Sequence, residues 1–272
     1  MKMKIGKLCC SLLSSIFVSS NLCFGMEYNI INNRFETDQL FHILGSKNSS
    51  CYLGSGCSAY VLKSNYNNQP VALKIFKPNN ADKSEDEIET CKKIYEYSKK
   101  SGLNQNLMKI LGITHAVSSL DPKDRRDAII FECINGITLT EWKEKFKFSS
   151  VDSFIDDFCI PVINAFQEYY RITGKLKSEL TGENIMMKSE GGIWKPILID
   201  YGPGSNDCVY FVYNTLLLCY SYVPEKSDKL RNLSDFLNRK VDEQLDIDES
   251  NANQNIDFVN ELLEEIKKIR NN

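Results

Sequence analysis

Read from the N-terminus, the apolar residues of this chain first alternate in short runs and later recur at helical spacing. From residue 50 to 77 the pattern is strand-like. A glycine-bearing loop lies within Ser50–Leu62, a polar turn over Asn65–Gln69 and a β-rich run over Val71–Phe76, which together predict a hairpin. Between Asp82 and Lys100 the period becomes helical, with Ile88, Cys91, Ile94, Tyr95 and Ser98 on one face and charges on the other. Leu107–Ile113 and Ala128–Cys133 read as short apolar strands separated by the charged loop Asp121–Asp127. After Asn135–Gly136, helices are predicted over Leu139–Phe146 and Val151–Tyr170. A second hairpin, Asn184–Lys188 with Trp194–Asp200, flanks a Gly191–Gly192 turn. Cys208–Val223 is apolar enough for a buried helix, and Leu230–Leu245 and Ile256–Ile269 are amphipathic. No internal repeat is visible. The order is a strand-rich half with one helix, then a mostly helical half, which is an α+β pattern.

The first 25 residues stand outside that pattern. Lys2, Lys4 and Lys7 precede an uncharged, largely apolar run from Leu8 to Gly25, with Cys23 and Gly25 at the −3 and −1 positions of a cut before Met26. This is the signature of a secretory signal peptide. A membrane anchor is the rival reading, but Ser11, Ser14, Ser15, Ser19, Ser20 and Asn21 interrupt the run, and no comparable apolar stretch follows. Leu22 is too bulky for lipoprotein cleavage at Cys23. Export therefore predicts no stable membrane span once the leader is removed, and loss of its three lysines takes the formal charge from −3 to −6.

Composition narrows the function. The 272 residues allow one large or two small domains. With 33 Lys and Arg against 36 Asp and Glu, the chain lacks the basic surface that nucleic acid requires. Two histidines, His42 and His115, exclude most His-based metal sites. Seven cysteines follow the leader (Cys51, Cys57, Cys91, Cys133, Cys159, Cys208 and Cys219), an odd number without a CxxC pair. They read as core thiols, with Cys57 at a loop tip the exception. Export with unpaired thiols suits a protein that acts in a reducing compartment of another cell.

Three segments carry candidate chemistry. In Gly54-Ser55-Gly56-Cys57-Ser58-Ala59-Tyr60-Val61, small residues would let main-chain N–H groups approach phosphate oxygens, although hairpin tips are also glycine-rich for other reasons. Val71-Ala72-Leu73-Lys74 sets a lone lysine in an apolar strand, where it either points to solvent or neutralises something buried. Asn184 and Asp200 bracket the second hairpin, and their amide and carboxylate oxygens are hard donors suited to Mg²⁺ shared with substrate phosphates. Asp200 before Gly202 is equally open to a plain turn role.

Taken in order, these segments resemble the protein kinases. Gly54, Gly56, Ala59 and Val61 are similar to the Gly-rich loop, and Ala72 and Lys74 to the strand bearing the phosphate-binding lysine. Glu87 is the best match to that lysine's helical partner, with Glu89 the runner-up. Ile129-Ile130-Phe131-Glu132-Cys133-Ile134 resembles the gatekeeper strand and hinge. Phe131 would be the gatekeeper, and Glu132 to Ile134 would meet the adenine edge. The resemblance implies a two-lobed kinase-like fold after the leader (1–25): an antiparallel N-lobe with one helix at 26–134, including an N-terminal extension, and a reduced helical C-lobe at 135–272. It implies ATP bound along Gly54, Ser55, Gly56, Cys57, Ala59, Val61, Ala72, Lys74, Phe131, Glu132 and Ile134, with Mg²⁺ on Asn184 and Asp200.

The departures bear on mechanism. Where kinases carry His-Arg-Asp, this chain has Lys177-Ser178-Glu179, so Glu179 would orient the acceptor hydroxyl and take its proton. Glutamate keeps the chemical type of the base, at a reference pKa of about 4.3 against about 3.9, but reaches one methylene further. A misplacement of about 1 Å can cost on the order of a hundredfold in rate, which predicts a slow or re-shaped kinase. Thr181 replaces a phosphate-contacting lysine. Only Pro203 to Asn206 separate Tyr201-Gly202 from the apolar segment opening at Asp207, so an activation segment and its peptide platform are missing. The expectation is an ATP- and Mg²⁺-dependent phosphotransferase acting on a protein acceptor. A pseudokinase that binds a partner protein and an AMP-transferring enzyme are the alternatives. A reporter fused behind residues 1–25 is expected to be exported with its new N-terminus at Met26, read by N-terminal sequencing; an uncleaved fusion that pellets with membranes would favour the anchor.

Overall fold

The computed structural model describes residues 34–36, 52–56, 58–77, 81–117, 125–175, 181–202, 216, 220–224, 227–244 and 252–272. The leader, Cys57, Lys177, Glu179 and most of Cys208–Val223 lie outside these residues, although Leu216 is helical and buried. By backbone packing the chain forms two compact units, one up to Ser84 together with Ile110–Cys133, the other Glu85–Lys109 with Ile134–Asn272.

The first unit is a six-stranded sheet of β1 (Arg34–Glu36), β2 (Tyr52–Ser55), β3 (Ala59–Tyr66), β4 (Gln69–Phe76), β5 (Ile110–Val117) and β6 (Arg125–Glu132). Its order is β1-β5-β6-β4-β3-β2, antiparallel except where β1 runs parallel to β5. The β3–β4 turn is made by Asn67 and Asn68, both at positive φ (51° and 61°), as a two-residue hairpin loop matching the strand twist requires. Because side chains alternate across a strand, one face of this sheet is a closed apolar cluster of Leu62, Val71, Leu73, Ile75, Ala128 and Ile130, with Tyr52, Tyr60, Tyr66 and Leu111 packed against it.

Helix α1 (Ala81–Ser101) packs with the second unit from Glu85 onward, whereas the sequence pattern groups it with the strands. The second unit continues with β7 (Gly136–Thr138), α2 (Leu139–Lys145), α3 (Val151–Phe154), a π-helical turn (Ile155–Cys159) and α4 (Ile160–Thr173). Strands β8 (Ile185–Glu190) and β9 (Ile193–Leu198) complete a β7-β8-β9 sheet, followed by α5 (Asp228–Gln244) and α6 (Ala252–Asn271). Among the described residues no helix is long and apolar enough to cross a membrane.

Three departures from the expected elements have physical causes. The single helix expected over Val151–Tyr170 is interrupted by the π turn, in which the Ile160 N–H reaches back to the Ile155 carbonyl. Pro161 has no N–H to offer the carbonyl four residues earlier, so a regular ladder cannot continue through this point. The strand expected to begin at Leu107 begins instead at Ile110, because the main chain of 106–108 is committed to β9. β1 and β7, at three residues each, are too short to leave a period in the sequence. Cys91 and Cys159 are buried and Cys133 half-buried, none of the three in a disulfide.

The core of the second unit is aromatic. Phe148 sits 4.7 Å from Trp142, 5.0 Å from Phe154 and 5.6 Å from Phe158, ring centre to ring centre. Phe158 is fully buried on the π turn. Phe158→Ala is expected to cost about 3–5 kcal/mol in unfolding by urea.

Candidate functional site

In the first unit, strand register gathers the residues that the sequence nominates. Gly54 pairs with Val61, Val61 with Lys74 and Lys74 with Ile129, one row crossing β2, β3, β4 and β6. Ala72 pairs with Phe131 two residues along. Directly paired residues share a face, so Ala59, Val61, Ala72, Lys74 and Phe131 all lie on the side opposite the closed apolar cluster. Lys74 is only 9% exposed, with its ammonium 5.7 Å from the centre of the Phe76 ring. Glu132 pairs with Val71, so its side chain belongs to the other face and only its main chain is available at this strand end. Ile134, in the second unit, is half-buried, and its carbonyl accepts from the Gly136 N–H at 3.1 Å.

The hairpin tip shows why small residues matter. Neither Gly54 nor Gly56 has a left-handed φ, and a Cβ at either would meet no atom within 4 Å. The fold therefore does not demand glycine there; the glycines leave open space over the main chain. The tip is nonetheless tied down. Gly56 N–H donates to Ala59 O at 3.1 Å, and Tyr52 OH donates to Ser55 Oγ at 2.9 Å. Lys77 Nζ donates to Gly56 O at 2.6 Å and stands 4.7 Å from the Tyr60 ring centre. The sequence pattern does not single out Lys77; its position just past the Val71–Phe76 run reads as ordinary surface charge.

In the second unit, helix α1 separates the two glutamates left open by the sequence. Glu87 is 2% exposed on the face that also buries Ser84, Ile88, Cys91 and Ile94. Glu89 is solvent-facing and pairs with Lys93 at 2.9 Å, a hydrogen bond and charge that hold its carboxyl below the usual carboxylate range. Glu87 is thus a buried carboxylate of this helix, and Glu89 belongs to its outer face.

Asn184 and Asp200 come together at one end of the β8–β9 hairpin. Gly191 and Gly192 turn the other end with φ of 61° and 85°. The register Ile185↔Leu198 sets Asn184 across from Ile199, whose N–H donates to the Asn184 carbonyl at 3.0 Å. Asp200 follows with φ +60°, a left-handed conformation that L-residues other than Asn, Asp and Gly rarely adopt. The turn Gly182–Asn184 lies so close to α2 that a Cβ on Gly182 would fall 2.6 Å from Thr140 Oγ1. The start of α2 is in turn fixed by a capping box in which Thr138 and Glu141 exchange hydrogen bonds at 3.2 Å. Both candidate metal residues are half-buried oxygen donors, a set that fits Mg²⁺ completed by phosphates and water. Among the described residues no group of three or more His, Cys, Asp and Glu side chains forms a metal cage.

No protein-family model and no curated protein matches the chain. Solved structures do match, among them the kinase domain of PknI from Mycobacterium tuberculosis, in a cysteine-to-alanine variant. The likeness covers 78% of this chain and 93% of that one, with a TM-score of 0.52 and 14% identity. The fold is protein kinase-like. At that identity the likeness is one of architecture: an antiparallel sheet, one long helix beside it in sequence, and a helical part reduced in size.

The left-handed backbone of Asp200 makes its own prediction. Asn tolerates this conformation and Ala does not, so Asp200→Ala is expected to be less stable than Asp200→Asn by about 1 kcal/mol, measured by urea unfolding.

Proposed function

We propose that this chain is an ATP- and Mg²⁺-dependent phosphotransferase of the kinase-like fold, exported by its leader and acting on a protein acceptor. The observation that carries the reading is Lys74, a lysine only 9% exposed on the sheet face shared with Val61, Ala72 and Phe131. Gly54 lies in the same cross-strand row, and the open space over it leaves a nucleotide phosphate room to approach that lysine. Gly54 to Ala59 would cover the phosphates, Lys74 with Glu87 would position them, and the main chain of Glu132 to Ile134 would meet the adenine edge. Asn184 and Asp200 would hold Mg²⁺, which supplies charge neutralisation of the phosphates when bound. Glu179 would accept the proton of the acceptor hydroxyl as its oxygen bonds to the γ phosphorus and the bond to the ADP oxygen breaks.

The missing activation segment leaves little platform for an extended peptide, which favours a folded protein surface as acceptor. An AMP-transferring enzyme would use the same phosphate and metal groups and differ in which phosphorus is attacked. A pseudokinase would need none of the metal pair.

The decisive experiment incubates the chain with Mg²⁺ and ATP labelled at the γ or the α phosphate, beside Asp200→Asn, which keeps the left-handed backbone and removes the charge. Transfer of γ label to protein, lost in the variant, is the expected result. Transfer from α alone would establish AMP transfer, and no transfer with ATP still bound would leave the pseudokinase.

A further inference from the structure

Asp200 holds a left-handed backbone, a conformation that in a residue with a Cβ is fixed by its surroundings. Here both chain neighbours are fixed. On one side the Ile199 N–H is bonded to the Asn184 carbonyl at 3.0 Å. On the other, Tyr201 is fully buried, and its hydroxyl donates to the Met108 carbonyl at 2.6 Å across 93 residues of sequence. The Tyr201 ring also stacks on Tyr169 of α4, 5.9 Å between centres and 19° from parallel.

The acceptor is itself immobilised. Met108 N–H donates to the Leu198 carbonyl at 3.0 Å, and Leu198 N–H donates to the Asn106 carbonyl at 2.7 Å. Asn106, 5% exposed, adds a side-chain bond from Nδ2 to the Pro196 carbonyl at 2.7 Å. Asn106 N–H is held by Asn104 Oδ1 at 2.8 Å, and Asn104 N–H by Glu168 Oε1 at 3.2 Å. The segment that leaves helix α1 is thereby stapled to the strand that delivers Asp200 and to helix α4.

We infer that Tyr201 is a positioning residue: its hydroxyl, through the bond to Met108, locks Asp200 in the left-handed conformation from which its carboxylate would hold Mg²⁺. The inference rests on the nucleotide reading for its consequence, while the lock itself is a property of the fold. The hydroxyl is the side-chain member of the lock nearest Asp200 in sequence and can be removed with the ring left in place. Tyr201→Phe deletes one oxygen, keeps the stack on Tyr169 and leaves a buried carbonyl without its donor.

The test compares the purified chain with Tyr201→Phe and Asp200→Asn, titrating Mg²⁺ while following ATP-induced thermal stabilisation, and measures amide exchange across 199–202. The expected result for Tyr201→Phe is a Mg²⁺ midpoint raised about tenfold, the magnitude of one buried hydrogen bond, with Mg²⁺-free ATP binding within about twofold of the parent. Exchange at 199–202 is expected to quicken. A lower melting temperature with an unchanged Mg²⁺ midpoint would mean that the hydroxyl merely stabilises the fold, and overturns the inference. A parent chain that binds no ATP at all overturns the nucleotide reading instead. Amide exchange then decides the lock alone: faster in Tyr201→Phe upholds it, unchanged refutes it.

Discussion

The second unit depends on a strand hydrogen-bonded along both edges. β9 pairs with β8 in regular antiparallel register on one side. On the other it exchanges main-chain bonds with Asn106 and Met108, making a parallel bridge at Leu107↔Leu198. A strand satisfied on both sides and buried over Pro196, Ile197 and Leu198 has little freedom to shift in register. Whatever leaves its C-terminal end therefore starts from a fixed point. Asp200 sits two residues beyond that end, and Asn184 leads into β8 across from Ile199.

Much of this was legible in the sequence, and the reasons are local. The β-rich run Val71–Phe76 placed Lys74 in a strand, and strand register then put it on one face with Val61, Ala72 and Phe131, residues first nominated by resemblance. The two hairpin turns announce themselves through Asn67–Asn68 and Gly191–Gly192, residue types that tolerate positive φ. Helix α1 was bounded to within a residue at each end by its apolar period. What stayed hidden is held by partners far apart in the chain. Asn106 reads as a loop asparagine because its partners lie on β9, about 90 residues away. Tyr201 reads as one more apolar residue after a strand, since nothing local reveals an acceptor at Met108. The π turn follows from Pro161, but a proline early in a helix is also compatible with an unbroken start.

The candidate nucleotide residues divide into two physical kinds. Lys74 and Glu87 are charges withdrawn from water, whose cost has to be met by close partners. Gly54, Gly56, Glu132 and Ile134 would contribute through the main chain, so their side-chain identities carry little information about contact. The openness over both glycines sharpens the contrast. Substitution there should leave folding nearly untouched, so any functional effect would speak of the ligand and not of the scaffold.

The π turn has a geometric result of its own. One extra residue in the coil rotates everything after it by roughly 100° relative to everything before. Before the turn Asp152, and within it Asp156, meet Arg270, at 3.3 Å and 2.7 Å. On the far side, Gln167 donates to Asn260 at 2.7 Å. Both sets of partners lie on the single helix α6, ten positions apart. Anything that loosens α6 therefore loosens the neighbouring coil on both flanks of its irregular turn at once.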